Sequence, residues 1–440
     1  MLECIVTKFG GSSLANDEQF RKVRSILELE PTRRYLIPSA PGKRYKEDDK
    51  VTDLLYQCYD LASEGKSIAE PFSRIRERYL SIARGLHLKV DIASKLDEVE
   101  QGISGGKGKD WCASRGEYLC GILMADYLGW RFVDPIDGII FRDNGTLDDE
   151  KTQEKLSALL KDGEPSVVPG FYGSKENGEV CTFSRSGSDI TGALVARAVN
   201  ADVYENWTDV SGFLMADPRI IENPAEISSI TYKELRELSH MGASVLHEDA
   251  MFPVHKAGIP TNIRNTNKPY HPGTMISKNA PNEISVPTIT GIAGHKGYSV
   301  ISVEKSMMNS EVGFGRKVLQ VLENYGVSFE HMPTGIDSMC VVVNSSSLEP
   351  HRSDILREIE NLVNGSGSVS VSDNMSIIAT VGRGMVHNCG TAARLFSAMS
   401  RARINVRMID QGSSELSIIV GVNDNDFEAT IHAIYHEFVG

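Results

Sequence analysis

Residues 4–13 have the sequence Cys-Ile-Val-Thr-Lys-Phe-Gly-Gly-Ser-Ser. Their apolar start predicts a buried strand, and the amphipathic pattern of residues 15–29 predicts a helix directly after it. Between the two, the adjacent Gly10 and Gly11 allow the backbone to approach a phosphate closely, with amide groups of the turn as donors. Lys8 adds a positive charge for phosphate oxygens. This strand–turn–helix unit is interpreted either as a phosphate site or as an ordinary glycine turn.

The same alternation continues to about residue 275. Further strands are predicted at residues 35–37, 131–133, 166–168, 203–207 and 261–263. Further helices are predicted at residues 51–64, 69–86, 92–101, 112–128, 187–199, 231–239 and 245–256. Alternating strands and helices predict a layered α/β domain with a largely parallel sheet.

The C-terminal part of the chain contains an internal repeat. Sliding residues 299–343 forward by 77 positions places them on residues 376–420 without a gap, and Gly313 then coincides with Gly390. Each copy has the pattern of a strand, a glycine-containing loop, a helix and two strands, followed by a second helix. We therefore predict two ferredoxin-like βαββα units that pack on each other or across a dimer.

The composition is that of a globular protein. The 440 residues are 41% hydrophobic and 24% charged, and 59 Asp plus Glu against 46 Lys plus Arg give a net charge of −13. This balance disfavours a duplex nucleic-acid binder. Seven scattered cysteines without a CxxC pair favour reduced thiols over disulfides or a zinc site. Because no apolar run reaches ~18 residues and no signal-peptide pattern is present, we expect a soluble cytoplasmic protein without a membrane segment.

Several common nucleotide and metal motifs are missing from the sequence. No GxxxxGK[ST] occurs, no GxGxxG follows a strand, and there is no HRD or DFG set. HExxH is absent as well, and the spacing of His240, His247 and His255 favours helix packing over metal binding. P-loop NTPases, dinucleotide dehydrogenases and protein kinases are therefore disfavoured, and no protein metal site is predicted.

Three further polar clusters lie at predicted element boundaries. They are Ser-Arg-Gly-Glu at 114–117, Ser-Arg-Ser-Gly-Ser-Asp at 184–189, and Trp-Thr-Asp-Val at 207–210 with Asp-Pro-Arg at 217–219. Taken singly, each is explained by a solvated first helical turn, an N-cap or a structural turn. Their combination with the turn at residues 8–13 favours a functional site.

With these blocks in this order, the chain resembles the aspartokinases of the amino-acid kinase superfamily. Gly-Ala-Ser-Val-Leu-His at residues 242–247 resembles a further block of that family. The two repeats resemble the tandem ACT domains of its monofunctional members. The resemblance implies a three-layer αβα amino-acid kinase fold with a largely parallel sheet, followed by two βαββα ACT units.

The implied domain boundaries follow from these matches. We expect a catalytic domain at residues 1–278, a linker with the first ACT strand at 279–298, ACT unit 1 at 299–372 and ACT unit 2 at 373–440. The family implies a homodimer, or a dimer of dimers, formed through the ACT units. A fused aspartokinase–homoserine dehydrogenase is not expected, because the sequence stops at Gly440.

The implied activity is transfer of the γ-phosphoryl group of ATP, with Mg²⁺, to the side-chain carboxylate of L-aspartate. A carboxylate is already ionised at pH 7, so this nucleophile needs no general base. Catalysis then consists of aligning two anions and neutralising charge on the phosphoryl group.

The resemblance also implies roles for individual residues. The catalytic residues are Lys8 and Asp189. ATP is bound by Lys8, Gly10, Gly11, Ser12, Thr208, Asp209, Leu214 and Arg219. Aspartate is bound by Ser39, Thr52, Glu117, Arg185, Ser186, Gly187 and Ser188.

The sequence departs from the family pattern at three positions. Ser186 stands where a glycine is usual, Ser244 where many members have Lys, and Glu248 where many have Pro. We therefore assign no nucleotide contact near Ser244. Because Lys8 and Asp189 are intact, an active enzyme is expected.

The repeats imply regulation by an end-product amino acid such as lysine, threonine or methionine. The effector residues expected in the first copy are Met308, Ser310, Gly313, Phe314, Ser328, Phe329, Glu330, Thr334, Gly335 and Asp337. In the second copy the slide places Arg407 on Glu330 and Ser414 on Asp337. Since the ε-ammonium of lysine needs carboxylates, a lysine-type site is predicted in the first copy. The alternative is that both carboxylates are solvated strand-edge charges.

Two other functions are kept open. Glutamate, uridylate and carbamate kinases share the superfamily, although the ACT pair together with Glu117 and Arg185 favours aspartate. A non-catalytic amino-acid sensor with a degenerate kinase domain is the second alternative, and the intact Lys8 disfavours it.

Overall fold

The computed structural model describes residues 3–242, 248–279 and 287–440, without the side chains of 248–250. The chain forms two compact units. The first comprises Met1–Phe213, Glu226–Tyr232 and Val245–Pro281, and the second Leu214–Ala225, Lys233–Ser244 and Asn282–Gly440. Most of the family-like block at 242–247, and the linker residues 280–286, lie outside the described residues.

The strands up to residue 279 are short; they belong to the first unit, except for Leu214 of β9, and the early ones follow the predicted apolar runs. They are β1 Ile5–Phe9, β2 Arg33–Pro38, β3 Arg131–Phe132, β4 Ile140–Phe141, β5 Ser166–Val167, β6 Tyr172–Lys175, β7 Val180–Thr182, β8 Val203–Thr208, β9 Phe213–Leu214, β10 Glu226–Ile227, β11 Ser229–Thr231, β12 Thr261–Asn265 and β13 Thr274–Ser277.

The helices alternate with these strands. They are α1 Asp17–Glu28, α2 Val51–Ser63, α3 Ala69–Gly85, α4 Ile92–Ser104, α5 Lys109–Leu128, α6 Asp149–Leu159, α7 Gly187–Ala198, α8 Tyr232–His240 and α9 Glu248–Ala257. Of these, α8 belongs to the second unit from Lys233 onward. The start of α1 shows why the local sequence fixes its position. Asn16 has extended backbone and its side chain accepts a hydrogen bond from the amide of Gln19 at 3.0 Å, as an N-cap does.

The central sheet has the order β11-β13-β12-β8-β1-β2-β5-β3. All its pairs are parallel except β12 with β13, which confirms the predicted, largely parallel sheet. In a parallel sheet, neighbouring strands have their carboxyl ends at the same edge. The carboxyl ends of β1, β2 and β8 are therefore neighbours, and this edge carries the candidate site.

Beneath this edge, β1 and β8 are fixed by a buried aromatic and ionic cluster. Phe9 stacks on Trp207 with ring centroids 5.7 Å apart. The Glu205 carboxylate accepts from Arg33 Nε at 2.8 Å, from Arg264 Nη1 at 3.2 Å and from Trp207 Nε1 at 2.8 Å. Removing the Glu205 carboxylate takes this partner from two interior arginines, and breaking a buried ion pair in this way typically destabilises by about 3–5 kcal/mol. The cluster therefore fixes the two strands whose ends form the site.

The second unit contains two long strands shared by both repeats. Its elements from residue 287 onward are β14 Gly291–Lys305, α10 Phe314–Asn324, β15 Phe329–His331, β16 Ser338–Asn344, α11 Ser345–Leu348, α12 Arg352–Val363, β17 Gly367–Val381, α13 Thr391–Arg401, β18 Met408–Asp410, β19 Ser417–Asn423 and α14 Phe427–Phe438. The sheet order is β15-β16-β14-β17-β19-β18. The two predicted repeats are present, each with its strands, helix and second helix.

The register shows that the gapless alignment of the two repeats is wrong in its last part. Ser299 pairs with Val343, and its repeat partner Ser376 pairs with Val422, so the last strands match at an offset of 79 rather than 77. The helices α10 and α13 keep the offset of 77. The second copy therefore has two extra residues in its β18–β19 hairpin, a surface turn where insertions are tolerated.

Among the helices that the structure describes, none has the length and apolar character needed to cross a bilayer.

Candidate active site

The centre of the site is an ion pair between two residues far apart in sequence. Lys8 lies near the end of β1 and is only 8% exposed. Its Nζ is 2.6 Å from Oδ1 of Asp189, which lies in the first turn of α7. A carboxylate in the first turn of a helix is stabilised by the helix dipole. The pair holds the Lys8 ammonium at the carboxyl end of β1.

Asn206 joins this pair and is a functional candidate that the sequence motifs did not indicate. It lies on β8, is buried, and its Nδ2 donates to Asp189 Oδ1 at 2.8 Å. The hydroxyl of Tyr204 donates to the backbone oxygen of Asp189 at 3.1 Å. The sequence feature that could have indicated it is an amide side chain inside a strand predicted to be buried, because a buried polar group requires a partner.

The glycine turn after β1 is tightly packed. The amide of Gly10 donates to the carbonyl of Trp207 at 3.0 Å, which joins the turn to the end of β8. A Cβ on Gly11 would lie 2.8 Å from the carbonyl oxygen of Ala40, and the amide of Gly42 donates to the Gly11 carbonyl at 2.8 Å. Glycine is required at Gly11 and Gly42 because the two backbone segments touch. Ser12 follows the turn with an exposed side chain.

The segment between β2 and α2, which leads from Ser39 to Thr52, is held against this turn by an interior arginine. Arg78 of α3 donates from Nη1 to the carbonyl of Gly42 at 2.7 Å and from Nη2 to Asp48 at 2.5 Å. Burial raises the pKa of Asp48, but hydrogen bonds from Arg44 and the nearby Arg78 charge outweigh it and lower that pKa to about 2. This salt-bridged segment fixes the residues that flank the glycine turn.

Glu117 of α5 contributes a carboxylate to the same region. Burial raises its pKa to about 7, against opposing effects of an Ala40 hydrogen bond and of the charges of Arg115 and Lys8. Within the described residues, its Oε2 is buried and has no hydrogen-bond partner. A buried acceptor without a partner is costly, so this oxygen is suited to a cationic ligand.

The loop before α7 carries an exposed positive charge, in contrast to the buried carboxylate of Glu117. The Arg185 side chain is exposed and, in the part of the chain that the structure describes, makes no hydrogen bond or ion pair. Ser186 next to it has a left-handed backbone with φ of 49°, a conformation that glycine adopts more easily than serine. A Cβ on Gly187 would lie 2.8 Å from Cα of Phe171, so the loop is packed closely at its base. Ser188 is buried in the first turn of α7.

The end of β8 lies beside the glycine turn. The Thr208 hydroxyl donates to Oδ1 of Asp209 at 3.2 Å, and Asn265 donates to the backbone oxygen of Asp209 at 3.1 Å. Thr208 is half-buried and the Asp209 side chain is exposed. The structure thus brings together Lys8, Gly10, Gly11, Glu117, Asp189 and the β8 end.

Leu214 and Arg219 belong to the second unit. Leu214 is 36% exposed. The exposed Arg219 is paired with Asp217, whose Oδ2 is 2.6 Å from its Nη2. Among the described residues, no group of three His, Cys, Asp or Glu side chains is arranged to hold a metal ion.

The expected effector residues are divided between core and surface. Met308 and Phe314 are buried in the apolar core of the first repeat. Glu330 is half-buried and its Oε2 lies 3.0 Å from Nε2 of His240. The remaining residues of the set are exposed: Ser310, Gly313, Ser328, Phe329, Thr334, Gly335 and Asp337.

Comparison with known proteins agrees with this architecture. Residues 3–265 match the model of the amino acid kinase family, and residues 378–438 match an ACT domain model. Aspartokinase 3 of Bacillus subtilis is 39% identical over 98% of both chains. A crystal structure of Clostridium acetobutylicum aspartate kinase superposes with a TM-score of 0.92 at 50% identity, covering 99% of this chain and 100% of that one.

A more distant structure shows the same fold. Aspartokinase III of E. coli, in complex with lysine and aspartate, covers 100% of both chains with a TM-score of 0.75 at 22% identity. The fold and the site edge define a member of the amino acid kinase family with a C-terminal ACT region. Within that family, the chain belongs to the aspartokinases and is an aspartate kinase, as its sequence motifs predicted.

Proposed function

We propose that the chain transfers the γ-phosphoryl group of ATP to the side-chain carboxylate of L-aspartate at the carboxyl edge of β1 and β8, forming 4-phospho-L-aspartate. The observation that carries this proposal is the Lys8–Asp189 pair, 2.6 Å apart, beside the closely packed Gly10-Gly11 turn. Lys8 is the catalytic cation that neutralises charge on the moving phosphoryl group. Asp189 holds Lys8 in place.

The aspartate substrate is bound by two groups of opposite character. The unpartnered Oε2 of Glu117 accepts from the α-ammonium, and the free guanidinium of Arg185 binds the α-carboxylate with two parallel hydrogen bonds. Because the pKa of Glu117 is about 7, this carboxyl is partly protonated at neutral pH in the free protein. Binding of an ammonium favours its ionised form. Ser39, Thr52, Ser186, Gly187 and Ser188 complete the proposed pocket.

The nucleotide is assigned to the neighbouring strand ends. Gly10, Gly11 and Ser12 contact its phosphates, and Thr208 and Asp209 face it from the end of β8. Leu214 and Arg219, which belong to the second unit, keep only the nucleotide role that the family resemblance implies. Mg²⁺ prefers phosphate oxygens and water and needs no dedicated protein cage. We therefore propose that Mg²⁺ is held chiefly by the phosphates of the bound nucleotide.

An acceptor assay separates aspartate from glutamate. The enzyme is incubated with MgATP, hydroxylamine and either acid, because hydroxylamine converts an acyl phosphate to a stable hydroxamate. One additional methylene is typically worth about 1–3 kcal/mol, or roughly 10- to 200-fold in kcat/KM. We expect hydroxamate from aspartate with at least that preference. Equal turnover of glutamate would favour a glutamate-type kinase, and no turnover of either acid would favour a non-catalytic sensor.

For the first repeat we propose an effector site for lysine. The support is chemical: Glu330 and Asp337 supply carboxylates, and a relative of the same fold is described in complex with lysine. His331 and Met408 pair with equivalent residues of β16 and β19, so the second copy has Arg407 where the first has Glu330. The predicted match of Asp337 with Ser414 is wrong: Ser338 and Ser417 are equivalent in register, so Asp337 corresponds to Leu416, which is also not a carboxylate. Isothermal titration with lysine, threonine and methionine tests this proposal. Heat with lysine alone is expected, and absence of heat with lysine would refute it.

We further propose that the first repeat is covered by a second copy of the chain. Two large apolar side chains near the proposed effector site, Val312 and Ile336, are 97% and 71% exposed. The amide of Asn309 donates to the carbonyl of Ile336 at 3.1 Å, which joins the loops that carry these two side chains, and exposed apolar patches mark interaction sites. Sedimentation at several protein concentrations is expected to show a dimer or a dimer of dimers, and a Val312→Asp variant is expected to weaken it.

A further inference from the structure

A polar amide occupies an interior position on β8, opposite the proposed catalytic lysine. Asn206 is 3% exposed and is the register partner of Lys8 on the parallel strand β1. Its Nδ2 donates to Asp189 Oδ1 at 2.8 Å, and Lys8 Nζ lies 2.6 Å from the same oxygen. Neighbouring strands therefore supply two donors, one neutral and one charged, to a single carboxylate oxygen.

We propose that Asn206 is a positioning residue for phosphoryl transfer, an inference that rests on the proposed role of Lys8. When the Lys8 ammonium turns towards the phosphoryl group, the Asp189 carboxylate, whose side chain is only 16% exposed, loses its charged partner. An unpartnered carboxylate in this setting would draw Lys8 back or rotate out of place. The Asn206 amide remains bonded to Asp189 throughout and keeps the carboxylate in the orientation that aims Lys8.

The strand register supports this assignment over a packing role. On the other side of β8, Asn206 is paired in register with Ile263 of β12, whose apolar side chain offers no hydrogen-bond partner. Its side-chain hydrogen bond goes to Asp189. An apolar residue of similar size would fill the same space without a donor, so the amide is explained by its bond to the carboxylate.

The first variant removes only the donor. Asn206→Leu keeps the volume, and we expect kcat to fall about 10- to 100-fold, the rate equivalent of one hydrogen bond to a charged group. The KM for aspartate is expected to stay within about twofold, because Glu117 and Arg185 bind that substrate. Thr261→Val, a fully buried polar-to-apolar change on β12, is the matched control and is expected to retain wild-type kcat.

The second variant provides a readout that packing does not affect. Asn206→Asp places a carboxylate against Asp189, and the charged groups that face position 206 are Lys8 from β1 and Asp189 from α7. When two carboxylates are adjacent, their repulsion raises the pKa of one of them, so the pair takes up a proton at a higher pH than a single carboxylate does. Once protonated, the acid at position 206 donates to Asp189 as the amide does. The kcat of this variant, relative to wild type at each pH, is therefore expected to rise as the pH is lowered, whereas that of Asn206→Leu stays flat.

Each outcome decides between the alternatives. An unchanged kcat in Asn206→Leu overturns the inference, and so does a loss of kcat that is matched by a raised aspartate KM or by global unfolding at the assay temperature. A flat pH ratio for Asn206→Asp overturns it too. The Lys8→Ala variant is assayed in parallel: if it stays active, the proposed role of Lys8 fails, whereas an inactive Lys8→Ala with a normal Asn206→Leu refutes the role of Asn206 alone.

Discussion

The ammonium of Lys8 and the carboxylate of Asp189 are 2.6 Å apart, although one residue belongs to the first strand and the other to the helix that begins at Gly187. Both groups are largely withdrawn from water, so their attraction is screened less than that of a surface pair. The pair connects the glycine turn after β1 to the loop that carries Arg185. Phosphate-binding and substrate-binding parts of the proposed site are thereby fixed to each other.

The shape of the Arg185 side chain is expected to matter as much as its charge. Arg185→Lys keeps the positive charge but loses the planar fork that binds a carboxylate through two bonds. We expect the KM for aspartate to rise at least about 10-fold, which corresponds to about 1.4 kcal/mol, while kcat changes less. Steady-state kinetics with varied aspartate measures this.

The control for this change is a second exposed arginine of the same unit. Arg34 of β2 is exposed, and Arg34→Lys makes the same chemical change away from the proposed pocket. It is expected to leave both constants unchanged. Equal effects in the two variants would show that Arg185 does not bind aspartate.

The raised pKa of Glu117 predicts a conflict between stability and function. Burial raises this pKa from 4.5 to about 7, so the folded protein holds a proton that the unfolded chain has already released between these values. The free protein therefore loses stability as the pH rises from about 4.5 to 7, by about 3 kcal/mol from this group. Glu117→Gln removes this loss, and urea unfolding at pH 5 and pH 8 without aspartate measures it.

The same carboxylate governs aspartate binding in the opposite direction. Protonated Glu117 is neutral and attracts an ammonium only weakly, so kcat/KM for aspartate is expected to decrease as the pH falls below about 7. In Glu117→Gln this limb should vanish together with most of the affinity. A Glu117→Gln enzyme with unchanged aspartate KM would contradict the assignment of the α-ammonium to Glu117.

Ser186 carries a backbone conformation that glycine adopts more easily. Its φ of 49° is in the left-handed region, which costs a residue with a Cβ roughly 1–2 kcal/mol. Part of the gain in Ser186→Gly is offset by the larger freedom of glycine in the unfolded chain, so we expect about 0.5–1 kcal/mol of added stability. Ser188→Gly, inside the first turn of α7, is the control and is expected to destabilise. Denaturant unfolding that ranks the two variants in the reverse order would contradict the backbone strain assigned to Ser186.

His240 is expected to compete with lysine for Glu330. The two side chains are 3.0 Å apart, and His240 is largely exposed, so their interaction is worth at most about 1 kcal/mol. His240→Ala should therefore tighten lysine binding roughly 2- to 5-fold in a calorimetric titration, whereas Glu330→Gln should abolish it. His432→Ala on α14 serves as the exposed-histidine control. Weaker lysine binding in His240→Ala would show that the histidine contacts the ligand instead.

Much of the catalytic architecture follows from local sequence. The apolar run of β1 and the amphipathic helix after it are encoded by neighbouring residues, and the structure confirms both. The helix α6 and the small sheet β4-β6-β7 were not predicted. Tyr172–Lys175 in that sheet contains a glycine and no alternation of polar and apolar residues, so its strand conformation depends on tertiary pairing.

The relationships that define the site depend on long-range packing. The motifs predicted that Lys8 and Asp189 belong together only through family resemblance, and nothing in the sequence indicated that Asn206 faces them. Likewise, the two extra residues of the β18–β19 hairpin became visible only through the strand register, in which Val343 pairs with Ser299 and Val422 pairs with Ser376. Register and side-chain direction are properties of the assembled sheet.

The role of Lys8 is tested by the turnover of Lys8→Ala, measured as ADP release with saturating MgATP and L-aspartate, beside Lys22→Ala, a half-buried lysine of α1 that pairs with Glu18. Loss of a preorganised cation at a transferring group typically costs about 100- to 1000-fold in kcat. We predict a loss of that size for Lys8→Ala and wild-type turnover for Lys22→Ala. A Lys8→Ala enzyme that releases ADP at the wild-type rate would contradict the assignment of the chemistry to this edge of the sheet.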